Sequence, residues 1–215
     1  MMQFSLLRTC WALWFVLSSS CCTAAVAPTP VDTTWLAQQR IPAPNQTVAA
    51  WRVADRDGEH VLVLTRKTGP SPENPRYGRI EATQLTASYY ARAGGSWKRD
   101  WDIRDGVDCP NLDSHALFYP RAVTFTDLNG DGRIEVTVSY HTFCGGGIDS
   151  DTVKVILREG ATKLAIRGKS SVQYQGQEPF GGEHRHDDAL TRPDMAAYKQ
   201  HLDAVWQSVS VEKRQ

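Results

Sequence analysis

Oxygen-bearing side chains stand at alternate places in Asp127-Leu-Asn-Gly-Asp-Gly-Arg-Ile-Glu135. Short carboxylate and amide arms in that pattern can wrap a hard divalent cation, calcium above all. Counted from Asp127, the ligands expected are Asp127, Asn129, Asp131, the Arg133 carbonyl at the seventh place and Glu135 at the ninth. Gly132 supplies the backbone freedom for the sharp bend. An EF-hand loop opens in the same way, but Val138 occupies the place of its bidentate Glu. The flanking segments also alternate like strands rather than helices. The expectation is one structural calcium between two strands, with an ion-free Asx-rich turn as the alternative.

Other groups could do chemistry. Cys109 and Cys144 are the two cysteines beyond the leader. In an exported chain they most simply form one disulfide, and closing that loop stabilises by roughly 3–4 kcal/mol. The alternative is a Cys144 nucleophile assisted by His141. Asp108, Asp113, His115 and His141 are candidates for ligand binding, and the first three for an acid/base set that cleaves a glycan, whose two carboxylates need a separation of roughly 5–9 Å. Solvated surface aspartates are the alternative. His184, His186, Asp187 and Asp188 have the character of transition-metal ligands, against a solvated polar loop. The run Gly145-Gly-Gly147 lacks the Lys and Ser/Thr of a phosphate loop, which excludes nucleotide binding of that type. There is no Gly-x-Ser-x-Gly elbow and no His-Glu-x-x-His helix. Trp97 and Trp101 have even spacing and are expected on one strand face as core aromatics, with a sugar-stacking platform as the alternative.

The rest of the chain must position these groups. Residues 1–25 read as a signal peptide: Arg8 precedes the apolar run 11–17, and Thr23-Ala-Ala25 can be cleaved. The run is short of the roughly 20 residues of a membrane span. An uncleaved anchor, or lipid attachment at Cys21 or Cys22, are the alternatives to periplasmic or extracellular export. The 24 basic and 24 acidic side chains balance, so nothing favours nucleic acid or an anionic membrane. No later stretch is apolar enough to span a bilayer.

Residues 26–48 are proline-rich and read as a loosely ordered lead-in, with Trp35 and Leu36 docking on the body. A single β domain is expected over 49–215. Four hairpins follow from alternating apolar residues around turn signals. Their turns are Asp55–Glu59, Gly94-Gly95, the acidic loop and Glu159-Gly160. Irregular loops are expected over 68–78, 104–120, 141–151 and 168–190. A helix over about 192–209 should be capped by Thr191, with Asp194 completing the box and Pro193 in the first turn. Met195, Tyr198, Leu202, Val205, Trp206 and Val209 share its apolar face.

The hairpins form two similar halves, residues 49–104 and 121–168. Val53-Ala-Asp55 matches Phe125-Thr-Asp127, and Glu59-His-Val-Leu-Val63 matches Glu135-Val-Thr-Val-Ser139. The first turn is shorter and lacks the Asx ligands. Two four-stranded units cannot close a propeller. The predicted fold class is therefore mainly β: antiparallel sheets from two similar repeats, blade-like or a sandwich, with one C-terminal amphipathic helix.

Residues 121–141 resemble the Asp-x-Asn-x-Asp-Gly-x-x-Asp calcium loop of FG-GAP and VCBS β-repeats, with Glu135 replacing the final Asp. That resemblance implies calcium held between two strands. Asp105-Gly-Val-Asp-Cys109, Tyr140-His-Thr-Phe-Cys144 and Lys163-Leu-Ala-Ile-Arg-Gly168 resemble segments of a family of exported bacterial proteins linked by name to surface polysaccharide biosynthesis. That second resemblance implies a shared fold and no particular reaction. The expected function is a non-catalytic envelope module binding a glycan or protein partner through its long loops. The alternative is a glycan-processing hydrolase.

Overall fold

A computed structural model describes residues 27–43, 46–72 and 82–214. The leader over 1–25 and most of the loop over 68–78 lie outside the described residues. The chain builds strands β1 (Thr29–Pro30), β2 (Gln46–Asp55), β3 (Gly58–Gly69), β4 (Ala82–Ala93) and β5 (Ser96–Asp108) into one antiparallel sheet, in that order. A short helix, α1 (Thr33–Gln38), lies between β1 and β2. The second sheet contains β6 (Asp113–Phe118), β7 (Thr124–Thr126), β8 (Glu135–Gly145), β9 (Thr152–Glu159) and β10 (Thr162–Lys169). A small third sheet joins β11 (Ser171–Tyr174), β12 (Phe180–Gly181) and the C-terminal strand β14 (Val211–Arg214). Between them in sequence, β13 (His184–His186) extends the second sheet beyond β10. Helix α2 (Ala196–Val209) precedes β14.

The two large sheets stack face to face with a helix on each outer face. Leu62, Leu64, Leu85, Tyr89 and Ile103 of the first sheet meet Val136, Val138, Tyr140 and Ile156 of the second. This layering explains why β3 reads as a continuous apolar run rather than an alternating one. Leu62 and Leu64 face the second sheet, while Val61 and Val63 face Leu36 and Ile41 around α1. On the far side Val153, Val155, Leu157 and Ile166 pack under Tyr198, Leu202, Val205 and Trp206 of α2. One polar pin crosses between the sheets: Asp105 accepts from Tyr140 Oη at 2.7 Å and pairs with Lys154. Burial would raise the Asp105 carboxyl, but Lys154 and Tyr140 outweigh it and hold it below its ordinary range.

The four hairpins form where alternation places them, as β2–β3, β4–β5, β7–β8 and β9–β10. Several finer expectations are corrected. Within the lead-in, residues 27–43 are ordered structure, because Asp32 caps α1 by accepting from the Trp35 amide at 2.8 Å, and Leu36 is buried. Trp97 and Trp101 lie on opposite faces. An irregularity in the β4–β5 register pairs Tyr89 with Trp101 but Tyr90 with Arg99, leaving Asp100 as the extra residue. Trp101 therefore enters the core between the sheets, and Trp97 packs against Trp35 outside it. The stretch 104–120 is largely strand, 141–145 completes β8 before an irregular turn over 146–151, and 168–190 carries three short strands. Pro193–Met195 is a 3-10 turn, and α2 begins only at Ala196. Thr191 does not cap it: its hydroxyl donates to the Asp188 carbonyl, and Asp194 pairs with Arg192. Among the described residues no helix is long and apolar enough to cross a membrane.

Candidate functional site

Strand β8 organises the polar chemistry. Its even positions Val136, Val138 and Tyr140 enter the core between the sheets. Period-two geometry then turns Glu135, Thr137, Ser139, His141 and Phe143 toward the α2 side. Glu135, Thr137 and Ser139 are fully buried there. His201 of α2 satisfies the middle of this line, its Nε2 lying 2.9 Å from Thr124 Oγ1 and 3.2 Å from Thr137 Oγ1. Desolvation lowers the His201 pKa, which favours the neutral ring.

At one end of the line lies the acidic loop. Gly132, at φ +81°, makes the bend that no β-carbon tolerates well. The Gly132 amide donates to Asp127 Oδ2 at 3.0 Å, the Asp131 amide to Asn129 Oδ1 at 2.9 Å, and the Arg133 amide to Asp131 Oδ1 at 2.8 Å. Each of these three arms is thereby fixed by one oxygen. Asp127 Oδ1 is buried without a hydrogen-bond partner. Beneath the loop, Glu135 accepts from the Leu128 amide and from Thr126 Oγ1. Burial pushes the Glu135 carboxyl above its ordinary value, and these donors only partly offset it. Burial also raises Glu159, with Asp131, Glu135 and Asp127 adding to the shift.

The first acidic turn braces the second. Asp55 Oδ2 accepts from the Ile134 amide at 3.1 Å, and its Oδ1 lies 2.9 Å from His60 Nε2. The Arg56 amide donates to the Gly132 carbonyl at 3.0 Å and its guanidinium to the Asp131 carbonyl at 2.5 Å. Arg133 Nε returns to Asp57 at 2.8 Å. The two halves are thus latched at their equivalent turns.

At the other end of β8 the structure assembles a group that spacing in the sequence does not reveal. His115 from β6 and His141 from β8 converge on Asp151, just before β9. Asp151 Oδ2 lies 2.5 Å from His141 Nδ1 and 3.3 Å from His115 Nε2. The donor atoms of the three residues all lie within 4.8 Å of one another, the only His/Cys/Asp/Glu trio among the described residues to do so. Burial would raise the Asp151 carboxyl, but His141 and then His115 outweigh it and hold it low. Its backbone is locked by a 2.8 Å bond from the Asp151 amide to Ser170 Oγ. Phe143 stacks on His115 at a centroid distance of 5.1 Å, and Tyr119 lies 4.8 Å from His141.

Cys109 and Cys144 form a disulfide beside this group, so Cys144 is not a free nucleophile. His115 turns to Asp151 rather than forming an acid/base set with Asp108 and Asp113, both exposed. The His184 and His186 rings lie 5.5 Å apart, but among the described residues no carboxylate or further imidazole completes a trio with them. His184 packs on Trp206, His186 bonds Asp203 at 2.6 Å, Asp187 pairs with Arg167, and Asp188 opens a 3-10 turn. A cleft of about 430 Å³ lies near the disulfide, lined among others by Phe143, Asp149, Ser150, Thr152, Lys169 and Phe180. Gly145 makes room for the Asp149 carboxylate, since a β-carbon there would sit 2.8 Å from it. Arg214 holds the glycine run through the Gly147 and Asp149 carbonyls. No protein-family model matches the chain, and no curated protein or solved structure matches it.

Proposed function

We propose that the protein is an exported module of the cell envelope that binds a glycan without turning it over. The observation that carries this reading is the cleft at the disulfide-bonded end. Its size, about 430 Å³, falls in the range of small-ligand sites. It offers an aromatic face in Phe180, which is 42% exposed, beside the polar heads of Lys169, Asp149 and Ser150. Sugars combine apolar ring faces with hydroxyls, so they suit such a lining. The resemblance to exported proteins linked to surface polysaccharide points to the same class. Isothermal titration with envelope polysaccharides, run alongside an assay for new reducing ends, tests the reading. Saturable binding without new ends is expected, and Phe180→Ala with Lys169→Ala should weaken it by about tenfold or more, a loss of about 1.4 kcal/mol. Binding unaffected by both substitutions would place the ligand elsewhere. Release of reducing ends would favour the hydrolase.

The same proposal assigns a structural calcium to the acidic loop. The donor set fits: all ligands are oxygens, three arms are already fixed, and Asp127 Oδ1 is buried and unpartnered. Asp127, Asn129, Asp131 and the Arg133 carbonyl would hold the ion, with Glu135 at the base of the loop. Bound calcium would supply positive charge at the centre of this cluster of carboxylates, beyond what the flanking Arg56 and Arg133 bring. Asp55 and Arg56, which belong to the first acidic turn, already grip this loop, so its stiffness is shared by both sheets.

A further inference from the structure

The geometry points to a second metal site of different chemistry: His115, His141 and Asp151 bind a first-row transition metal ion, with zinc as the reference ion. Two imidazole nitrogens and one carboxylate are borderline ligands that suit zinc and leave one tetrahedral position open. Ligands about 2.0–2.1 Å from a tetrahedral ion are about 3.3 Å apart. His115 Nε2 and Asp151 Oδ2 are already separated by 3.3 Å.

Two further observations make this a built site rather than a chance cluster. Asp151 is only 2% exposed, and its Oδ1 is buried with no hydrogen-bond partner. Its ion-pair partners among the described residues are the two imidazoles alone, with no Lys or Arg in the set. His141 Nδ1, although 2.5 Å from Asp151 Oδ2, makes no aligned hydrogen bond to it. A cation bound through Asp151 Oδ1 would satisfy the orphaned oxygen, and His141 Nδ1 would draw back from Oδ2 to the ligand spacing as it turned onto the ion. The ligands also come from rigid places. His115 and Phe143 are cross-strand partners in the β6–β8 pairing, and Asp151 is tied to Ser170 by bonds in both directions. The open position would sit beside Phe143, which also lines the cleft, so an added ligand could reach the ion from there.

The site is independent of the acidic loop. His141 and Glu135 are six residues apart on one strand, or roughly 20 Å. Nitrogen ligands also select against calcium.

The test is titration of the chelator-treated full chain with zinc chloride by calorimetry, and with cobalt(II) by visible absorption. One zinc per chain is expected, with cobalt d–d bands of a four- or five-coordinate ion and no displacement by excess calcium. His115→Ala, at the half-exposed position, should weaken zinc by about 100-fold or more, at least the loss that removal of an outer partner causes. Its melting curve shows separately whether the fold is intact. Asp151→Asn should do the same, whereas Asp131→Ala should leave zinc binding unchanged. The inference is overturned if wild type gives no zinc heat and no cobalt spectrum. It is equally overturned if His115→Ala binds zinc as wild type does while His186→Ala does not.

Discussion

Glu135 and Asp151 are both buried carboxylates at the second sheet, yet their surroundings drive them in opposite directions. Glu135 has neutral donors around it, the Leu128 amide and the Thr126 hydroxyl, and acts on Glu159 together with Asp131, Arg133 and Asp127. Its carboxyl is pushed up by burial. Asp151 is as deeply placed but faces His141 and His115, and its carboxyl is held down. Burial alone therefore does not set the charge of a carboxylate. The charge of its neighbours decides which desolvation cost is offset. One end of β8 is a cluster of acids flanked by Arg56 and Arg133, with only neutral donors on Glu135 itself, and the other is a paired site with nitrogen ligands.

The largest effect expected comes from removing the one covalent tie at the Asp151 end. Cys109→Ala with Cys144→Ala closes no loop, and the chain should lose about 3–4 kcal/mol in urea unfolding. Amide exchange should quicken around His141 while the Leu128 amide stays protected. Equal quickening at both ends would dissolve the contrast between them.

Next is Asp151→Ala, which strips two imidazoles of a buried partner and should cost about 3 kcal/mol in metal-free buffer at neutral pH. The folded carboxyl is held below its ordinary 3.8, so its contribution is fully present above that value. It is lost as the pH falls through the folded value. The gap between wild type and variant should close in strong acid. A gap that persists there would mean that packing, not charge, is what Asp151 supplies.

Glu135→Gln tests the opposite sign. A carboxyl raised above its ordinary 4.5 weakens the fold as the pH climbs from that value through the folded one. Without calcium, the Gln variant should flatten this decline and gain up to about 1 kcal/mol at neutral pH, the scale of one exchanged hydrogen bond. A loss instead would show that the hydrogen bonds to Leu128 and Thr126 outweigh the relieved charge. The smallest change should follow Tyr198→Phe. Burial, with Glu135 and Glu159 close by, pushes this phenol up to about 12, and its hydroxyl interacts with Asn129 and Glu135. Losing it should cost about 0.5–1 kcal/mol and leave zinc titration at the other end untouched.

One side of this contrast is legible in the amino-acid sequence and the other is not. Alternation in 125–140 and the Asx spacing locate the acidic loop, and helical spacing picks out Tyr198, Leu202, Val205, Trp206 and Val209, all buried under α2. Two cysteines beyond residue 25 suffice for the disulfide. Asp151 carries no such signal. It follows a glycine run with Asp149 two places before it and nothing to tell the two apart, and only the β6–β8 register brings His115 beside His141. The opposed faces of Trp97 and Trp101 are equally hidden, since one extra residue at Asp100 inverts every side chain beyond it. The cap at Asp32 sits in a proline-rich stretch, where composition masks a single well-placed acid. Long-range partners such as Arg56 with Asp131 have no local signature at all.

The most direct measurement is a thermal melt of the chelator-treated chain with and without calcium, beside the same pair for Asp131→Ala. Wild type should melt at a clearly higher temperature with the ion, and the variant should show no response. Identical wild-type curves in both buffers would contradict calcium in the acidic loop.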